Sequence, residues 1–477
     1  MNNWTSCPEC QGRGRKAKRL RKKVRLAYQR AVQQFEKDGT GATPARPQSH
    51  LTPCINCNGS GLVASPSPVI PDDEHLPKLA IIGGGIGGVA LAVACLHRGI
   101  PFTLYERDDR FDARSQGYGL TLQQASRAID GLGLFSLADG VVSTRHLVHT
   151  PEGNIVGEWG VRKLGKTDNT KRGNIHIARQ SLRAALLEQL GGHDQVQWGH
   201  QLVGVEKRTT GVELRFIVDG KAQTQYADML VGADGIRSTV RSLLLGEEAY
   251  PLRYLDCIVI LGICTLADIE QSDGDLLDSA TVFQTANGHE RIYVMPYDTQ
   301  SVMWQLSFPL PEQAAKALSQ QGAAALKQEA LKRCQWHSPI PQILSATQED
   351  LISGYPVYDR ALLEPARLQK LGCATLIGDA AHPMSPFKGQ GANQALLDAL
   401  ALARQIKQDC RPLSNWKKKG VRHSVLSDFE PAMLKRSGAK VADSAAAAQF
   451  LHSEIALHES DQPRGSNLKN HQRTNNE

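Results

Sequence analysis

The clearest pattern of apolar and polar positions lies between residues 79 and 107. A short apolar run, Leu79–Ile82, leads into a glycine cluster, and an alanine-rich segment continues to Arg98. A second apolar run, Phe102–Tyr105, follows and ends on the acidic residue Glu106. Short apolar runs bounded by glycine are typical of buried strands, and a longer alanine-rich segment is typical of a helix. This stretch is therefore predicted to form strand, tight turn, helix and strand in that order.

The remaining apolar patterns predict an α/β fold with an inserted antiparallel sheet. Helical patterns lie at 16–38, 125–132, 177–190, 311–333, 392–408 and 425–458. Strand patterns lie at 117–122, 141–160 (as a hairpin), 196–206, 211–218, 222–227, 257–265, 281–285, 291–297 and 301–308. The strands after residue 250 are predicted to form the antiparallel sheet. A return to strand, loop and helix is expected at 373–393.

The glycine cluster carries the first candidate chemistry. Gly83, Gly85 and Gly88 are in GxGxxG register, and Gly87 lies in the same turn. Residues without Cβ let the backbone approach a pyrophosphate, and the following helix N-terminus supplies free N–H groups and a positive dipole. Glu106 lies about 20 residues further on, where a carboxylate can accept the hydroxyls of an adenosine ribose. Dinucleotide binding is predicted. A transmembrane span is the alternative, and five glycines within six residues argue against it.

Composition and charge narrow the class of protein. The 477 residues leave room for two or three domains, and the apolar content of 41% is that of a soluble globular protein. The net charge of +7 is uneven, because residues 1–75 carry 12 Lys and Arg against 6 Asp and Glu. The main body therefore shows no overall nucleic-acid signature. The N-terminus has no secretory signal, and ten scattered cysteines favour a reducing cytoplasm.

Four of the cysteines form an internal repeat. Cys7 and Cys10 lie in one CxxCxGxG segment, and Cys54 and Cys57 lie in a second. Each CxxC turn can point two thiolates at one ion, and two such turns make the closed tetrahedral site of structural zinc. A redox pair and a disulfide are the alternatives. The repeat resembles the zinc-binding region of J-domain chaperones, but no His-Pro-Asp tripeptide is present, so chaperone activity is not implied.

A basic helix is predicted between the two cysteine pairs. Its residues from Arg13 to Arg30 are densely basic, and one face carries apolar residues such as Val24 and Phe35. A solvated helix held by the zinc segment is one interpretation. A docking surface for nucleic acid or an acidic partner is the other.

Two further motifs follow the glycine cluster along the chain. The first is GADGIRSTVR at residues 232–241, and the second is GDAAHPMSPFKGQGAN at residues 378–393. With GxGxxG and Glu106, these motifs occur in the order seen in single-component FAD-dependent aromatic monooxygenases. Over residues 78–440 the chain resembles that family, which includes para-hydroxybenzoate and salicylate hydroxylases and tetracycline-inactivating members.

The resemblance implies the cofactors and the reaction. FAD is reduced by NAD(P)H and reacts with O₂, and the resulting flavin hydroperoxide hydroxylates an electron-rich aromatic small molecule. An oxygen-independent reductase of the same fold is an alternative. A zinc-containing binding protein with a flavin redox platform is another.

The resemblance also implies roles for individual residues. Asp379 would bind the ribityl chain of the flavin, and Pro386 would lie against the flavin ring. Gly389 and Gly391 would direct backbone N–H groups at the ring. Further cofactor-binding residues are Arg107, Arg179, Asp234 and Asn393. His382 is expected to be structural.

No spacing rule identifies the catalytic residues. A phenol hydroxylase needs a group that polarises the substrate oxygen. Arg291, Tyr293 and Tyr297 are candidates because they lie on a predicted sheet strand, and sheet packing is the alternative for each.

The motifs and the composition together predict the domain organisation. The predicted parts are a zinc-binding segment with a basic helix (1–64), a linker (65–77), a Rossmann-like FAD-binding domain (78–140, 176–249 and 361–410), a substrate domain (141–175 and 250–360), C-terminal helices (411–460) and a disordered tail (461–477).

Overall fold

A computed structural model describes residues 3–17, 20–38, 44, 47, 51–113, 118–161, 174–269, 274–412 and 414–463. The chain forms two compact units, Met1–Ile70 and Pro71–Glu477. Most of the predicted disordered tail, residues 464–477, lies outside the described residues. Among the helices that the structure describes, none has both the length and the apolar composition needed to cross a membrane.

The first unit contains two short antiparallel strand pairs and one helix. Its elements are β1 (Asn3–Ser6), β2 (Arg15–Ala17), α1 (Lys22–Asp38), β3 (Leu51–Pro53) and β4 (Leu62–Ser65). β1 pairs with β4, and β2 pairs with β3. The predicted helix start at Lys16 is wrong, because the backbone of residues 15–17 pairs with β3 instead. None of the α1 residues is buried.

The described part of the second unit contains twelve strands and three α-helices up to residue 245. Its strands there are β5 (Leu79–Ile82), β6 (Phe102–Tyr105), β7 (Gly119–Leu122), β8 (Val141–Val142), β9 (Arg145–His149), β10 (Ile155–Trp159), β11 (Ile175–Ala178), β12 (Val196–Gln197), β13 (Gln201–Arg208), β14 (Gly211–Val218), β15 (Lys221–Ala227) and β16 (Met229–Gly232). Its α-helices there are α2 (Ile86–Leu96), α3 (Arg179–Leu190) and α4 (Thr239–Leu245).

Six strands and seven α-helices follow residue 250 in the described part of the unit. The strands are β17 (Arg253–Thr265), β18 (Thr281–Ala286), β19 (Arg291–Pro296), β20 (Ser301–Pro309), β21 (Ile352–Asp359) and β22 (Ala374–Leu376). The helices are α5 (Glu312–Gln320), α6 (Ala323–Arg333), α7 (Ile340–Ala346), α8 (Pro365–Gln369), α9 (Gly391–Asp409), α10 (Trp416–Val421) and α11 (Ser427–Phe450).

A five-stranded parallel sheet forms the nucleotide-binding part of this unit. Its strand order is β12-β6-β5-β16-β22, and every described pairing within it is parallel. All four residues of β5 and of β16 are buried, as expected for parallel strands covered on both faces. The carboxyl ends of β5, β16 and β22 lead into the three predicted motifs, so these motifs meet at one edge of the sheet.

A seven-stranded sheet forms the second layer. Its order is β10-β9-β18-β19-β20-β17-β21. The pairings are antiparallel except for β18 with β9, which is parallel. One face of this sheet packs on α5, α6 and α7 through a cluster that includes Phe283, Trp304 and Ile343. The opposite face is left to line a cavity.

Four further predicted helices differ from the observed ones. The helix predicted at 177–190 begins at Arg179, because residues 177 and 178 pair with β7 as the end of β11. Residues 125–132 form two 3₁₀ turns, Gln124–Arg127 and Ile129–Leu132, because the segment is short and Gly133 ends it at φ 79°. Residues 311–333 are two helices, interrupted where Gly322 adopts φ 87°. The last long helix ends at Phe450 rather than continuing to residue 458.

Candidate active site

A cavity of about 1480 Å³ lies in the second unit. One wall, here called the nucleotide wall, comes from the turns that follow β5, β16 and β22. The other wall, here called the sheet wall, is the free face of the seven-stranded sheet. Both walls contribute lining residues to the same space.

The glycine turn of the nucleotide wall is tightly packed against its neighbours. Gly83 adopts φ 108°, and a Cβ on Gly88 would lie 1.9 Å from the carbonyl oxygen of Gly83. Glu106 accepts the Gly84 N–H at 2.6 Å and the Asp108 N–H at 3.0 Å. Gly85 and Gly87 line the cavity, and no protein atom lies within 4 Å of a Cβ placed on Gly85. A phosphate-bearing ligand can therefore approach the backbone at Gly85 closely.

Arg183 holds this turn in place and is not among the residues predicted from the sequence. Its Nε donates to the Gly84 carbonyl at 2.7 Å, and its Nη1 donates to the Phe111 carbonyl at 3.0 Å. Arg107, which the resemblance implies is a cofactor residue, is exposed and does not line the cavity. Arg183 lies one helical turn beyond the predicted Arg179, which is the signal that could have found it.

Arg179 and Asp379 both line the cavity. The Arg179 guanidinium lies 5.0 Å from the centre of the Tyr118 ring. Asp379 forms no hydrogen bond with any described residue, and its carboxylate is open to the cavity. The surrounding walls remove bulk water, and this desolvation raises the pKa of Asp379 although His382 and Arg179 oppose the shift.

A buried ion network fixes the turn that carries Asp379. Asp398 is fully buried and accepts the Gly378 N–H at 2.9 Å and a bond from His382 Nε2 at 2.6 Å. Arg436 forms an ion pair with its second oxygen. Burial works against protonation of His382, but the Asp398 carboxylate outweighs it and raises the pKa of His382. His382 is thus held by Asp398, in keeping with the expected structural role.

Two predicted cofactor residues are used within the protein instead of lining the cavity. Asp234 accepts the Ser238 hydroxyl at 2.5 Å and the Val240 N–H at 3.1 Å, so it caps the start of α4. Asn393 is fully buried. Its Nδ2 donates to the carbonyls of Thr121 and Gly389, both at 2.8 Å, and its Oδ1 accepts the Gln123 N–H at 2.8 Å. Asn393 therefore ties the loop before α9 to the end of β7.

The loop before α9 completes the nucleotide wall. Pro386, Gly389 and Gly391 line the cavity, and α9 begins at Gly391 without a side-chain cap. The first N–H groups of a 19-residue helix therefore face this space. Helix N-termini stabilise negative charge. α2 begins in the same way, at an uncapped N-terminus next to the glycine turn.

The sheet wall carries large side chains in place of glycine. Strand register puts Gln284 opposite Tyr293 and Tyr293 opposite Gln305, so these side chains share one face with Arg291. All four line the cavity. Tyr297 lies one residue beyond β19 and is not among the lining residues. Burial lowers the pKa of Arg291 to about 10.

Two histidines that line the cavity, His146 on β9 of the sheet wall and His176 on β11, are uncharged near neutral pH. Burial lowers the pKa of His146 to about 4 and that of His176 to about 3. His146 stacks on Trp159 with 5.4 Å between ring centroids, and His176 Nδ1 lies 3.1 Å from the Thr121 hydroxyl. The Nε2 atom of His176 is buried without a hydrogen-bond partner among the described residues.

The predicted cofactor residues therefore fall into two groups. The cavity is lined by Gly85, Gly87, Arg179, Asp379, Pro386, Gly389 and Gly391. The lining does not include Gly83, Gly88, Glu106, Arg107, Asp234 and Asn393. Of the second group, Gly83, Gly88, Glu106 and Asn393 shape the turns from which lining residues project.

The first unit contains a separate candidate metal centre. The sulfur atoms of Cys7, Cys10, Cys54 and Cys57 all lie within 4.8 Å of one another, and all four residues are buried. The Gly14 N–H donates to Cys10 Sγ and the Gly61 N–H to Cys57 Sγ, each at 3.2 Å. A Cβ on Gly61 would lie 2.4 Å from the Gly12 carbonyl oxygen, which explains the glycine there. Amides that point at sulfur stabilise thiolates, the form that binds metal.

Comparison with known proteins places the chain in a family. The model of the FAD binding domain family matches residues 77–411. The aurachin C monooxygenase/isomerase of Stigmatella aurantiaca is 31% identical over 354 residues, which cover 73% of this chain and 86% of that protein. The 6-hydroxynicotinate 3-monooxygenase of Pseudomonas fluorescens is 26% identical over 348 residues, covering 70% of this chain and 83% of that protein.

Solved structures share the fold. HpxO of Klebsiella pneumoniae, crystallised with FAD and uric acid, superposes with a TM-score of 0.64 at 21% identity, covering 80% of this chain and 89% of that one. The 2,6-dihydroxypyridine-3-hydroxylase of Arthrobacter nicotinovorans gives 0.65 at 19% identity, covering 82% and 95%. The chain belongs to the FAD binding domain family, the family of the class A FAD-dependent monooxygenases that its three motifs indicated.

Proposed function

We propose that this FAD-dependent monooxygenase uses NAD(P)H and O₂ to hydroxylate an electron-rich aromatic small molecule inside the 1480 Å³ cavity. The observation that carries the proposal is the pairing of two walls around one space. The nucleotide wall offers two uncapped helix N-termini and an unbonded carboxylate. The sheet wall offers aromatic and apolar side chains with a few polar groups, which is the composition of a small-molecule site.

The residues of the nucleotide wall fit FAD. The open backbone at Gly85 and Gly87 and the N-terminus of α2 suit the pyrophosphate, and Glu106 is proposed for the adenosine ribose. The unbonded Asp379 suits a hydroxyl-rich sugar chain. Gly389, Gly391 and the N-terminus of α9 suit the electron-rich edge of the ring system. Bound FAD supplies hydride acceptance from NAD(P)H and the activation of O₂.

The chain's own residues position the substrate and keep water out. Val282, Met295 and Met303 give the sheet wall an apolar surface that disfavours water near the reacting atoms. Arg291 and Tyr293 are proposed to contact a substrate oxygen, because both face the cavity from the same strand. Tyr297 stays the weakest of the three candidates, because it lies beyond that strand.

The test uses purified full-length protein. A yellow preparation is expected, with NAD(P)H oxidation that phenols stimulate and one oxygen atom from ¹⁸O₂ in the product. Stimulated oxidation of NAD(P)H with reduction of an alkene and no oxygen incorporation would favour the reductase alternative. A colourless protein that takes up no FAD would contradict both.

We also propose that the four-cysteine cluster binds one structural zinc ion. The support is the closed set of four buried sulfur atoms with N–H groups directed at two of them. Replacement of Cys54 with Ser is expected to remove zinc from the purified protein, as measured by mass spectrometry of the metal content. The control is Cys95→Ser in α2, a buried cysteine outside the cluster, which should retain one zinc per chain.

None of the ten cysteines forms a disulfide, which fits the reducing cytoplasm proposed as the location of the protein.

The helix α1 is proposed to bind an acidic partner, such as a nucleic acid. Lys22, Lys23, Arg25 and Arg30 are exposed and form no ion pair within the described part of the chain. The full chain should bind a labelled RNA with an affinity that falls steeply with salt. Reversal of charge at Lys22, Lys23 and Arg25 should abolish this binding and leave FAD content unchanged. If the full chain binds polyglutamate and does not bind RNA, the partner is an acidic protein instead.

A further inference from the structure

Arg291 is a buried cation at the centre of the sheet wall. It begins β19, in the middle of the seven-stranded sheet, and only 5% of it is exposed. Its Nε donates to Gln284 Oε1 at 2.7 Å, and its guanidinium carbon lies 4.9 Å from the centre of the Tyr293 ring. No described group accepts a hydrogen bond from its two terminal nitrogens, and the side chain lines the cavity.

No carboxylate within the described part of the chain compensates this charge. Arg291 forms no ion pair with any described residue, and the cavity lining contains two carboxylates, Asp379 and Asp443. Asp379 belongs to the nucleotide wall, and the electrostatic effect of Asp443 is on Lys388. A buried guanidinium without a counter-charge is unfavourable, so proteins rarely keep one for packing alone.

Other buried arginines of the same unit show the contrast. Arg241 donates to the Ala380 carbonyl at 2.8 Å and to the Ile236 carbonyl at 2.5 Å. Arg360 donates to the Tyr250 carbonyl at 2.5 Å and pairs with Glu247 at 3.1 Å. In both, terminal nitrogens are bonded to the protein. In Arg291 these nitrogens are left for a ligand.

We infer that Arg291 and Gln284 form an oxyanion subsite, and that the aromatic substrate carries an acidic oxygen group that binds there. This inference rests on the proposed function and names the substrate class. The planar fork of the guanidinium matches two oxygens of a ring carboxylate and can also hold a single phenolate oxygen. The hydrogen bond from Arg291 Nε to Gln284 holds the guanidinium in place, so that the terminal N–H groups of Arg291 point away from Gln284.

The experiment compares matched anions and neutral molecules. The probes are benzoate with benzamide, salicylate with salicylamide, and para-nitrophenolate with para-nitroanisole. Binding to the FAD-loaded full-length protein is followed by the flavin absorbance spectrum, and thermal unfolding gives a second readout that needs no flavin. An anion is expected to bind at least about ten-fold more tightly than its neutral partner. A preference for the anion in the two carboxylate pairs indicates that the subsite binds a carboxylate. A preference in the phenolate pair indicates that it binds a phenolate.

Two variants test the residue itself, and a third serves as the control. Arg291→Met should lower anion affinity about ten- to hundred-fold and abolish the preference, while its melting temperature without ligand stays equal or rises, because a buried charge is removed. Arg291→Lys keeps the charge without the fork and should be intermediate. The control is Arg98→Met, a buried arginine outside the cavity whose Nη1 donates to the Ala94 carbonyl at 2.9 Å; it should lower the melting temperature and keep the preference.

Two outcomes would overturn the inference. One is a wild-type protein with no preference for the anion in any pair. The other is an Arg291→Met protein that melts at a lower temperature and keeps the preference, which would make Arg291 structural. A protein that binds FAD and oxidises NAD(P)H but shows no preference refutes this inference alone. A protein without FAD refutes the proposed function, and the thermal readout still tests Arg291.

Discussion

The two walls of the cavity differ in what they present to a ligand. The nucleotide wall presents backbone, because Gly85, Gly87, Gly389 and Gly391 carry no side chain and two helices begin there uncapped. The sheet wall presents side chains, such as Arg291, from strands whose backbone groups are already paired in the sheet. Recognition by backbone depends on the exact path of the chain, whereas recognition by side chain depends on the chemistry of single residues.

This difference has a consequence for substitutions. On the nucleotide wall, residues that never touch the ligand control its binding, because they set the position of the turns. On the sheet wall, a lining residue can be exchanged with little effect on the fold. The following predictions test that distinction, and the largest expected effect comes first.

Asp398→Asn should have the largest effect, although Asp398 does not line the cavity. The substitution leaves His382 and Arg436 without their buried counter-charge, so the free energy of unfolding should fall by about 3–5 kcal/mol. FAD should be lost as well, since the turn at Gly378 loses its anchor. Urea unfolding and the flavin content measure the two effects. The control is Asp443→Asn on the exposed, cavity-facing side of α11, which should change stability by less than about 0.5 kcal/mol.

Two glycines of the same turn should separate fold from cofactor binding. Gly88→Ala places a Cβ 1.9 Å from the Gly83 carbonyl oxygen, so the backbone must move, and a loss of about 3 kcal/mol is expected. Gly85→Ala meets no protein atom within 4 Å, so the apoprotein should keep its stability while FAD affinity falls. Thermal unfolding of both apoproteins, with FAD titration, is the measurement. Equal destabilisation by both substitutions would contradict a backbone surface open at Gly85.

The same difference explains what the sequence could reveal. Backbone recognition requires glycine at fixed spacing and an acidic residue at a strand end, so the turn at 83–88, Glu106 and Asp379 could be found before the structure was known. The four clustered cysteines could be found for a similar reason, since a closed metal site needs fixed local spacing.

Side-chain contacts between distant segments left no such pattern. Asp398 supports Gly378 from α9, and Arg183 supports Gly84 from α3. Gln284 could not be assigned to the cavity, because all six residues of β18 are buried and no alternation shows which face is which. Arg291 was a candidate from its strand position, but only the three-dimensional structure shows that it forms no ion pair with any described residue.

Acid should destabilise the protein partly through His176, a buried residue of β11 that lines the cavity. Burial lowers its pKa from the usual 6.5 to about 3, so between these values the unfolded chain takes up a proton that the folded chain does not. Stability is therefore lost as pH falls below about 6.5. At pH 5 this group alone accounts for about 2 kcal/mol, which His176→Gln should recover relative to pH 7.5. Urea unfolding at both pH values gives the difference, and His289→Gln, at an exposed position, should not change it.

Asp379→Asn should have the smallest effect, because here a lining residue of the nucleotide wall acts through its side chain. The carboxylate forms no hydrogen bond with any described residue, so its replacement should not destabilise the apoprotein. It should be slightly more stable near neutral pH, since desolvation raises the pKa of this group and thus penalises its charged form. An amide oxygen still accepts a hydroxyl but without the charge, so FAD affinity should fall about ten-fold, or roughly 1.4 kcal/mol. Recovery of flavin fluorescence on dilution measures the affinity. A large loss of apoprotein stability would mean that Asp379, like Asp398, supports the turn, and the ligand-facing role would then have to pass to the backbone alone.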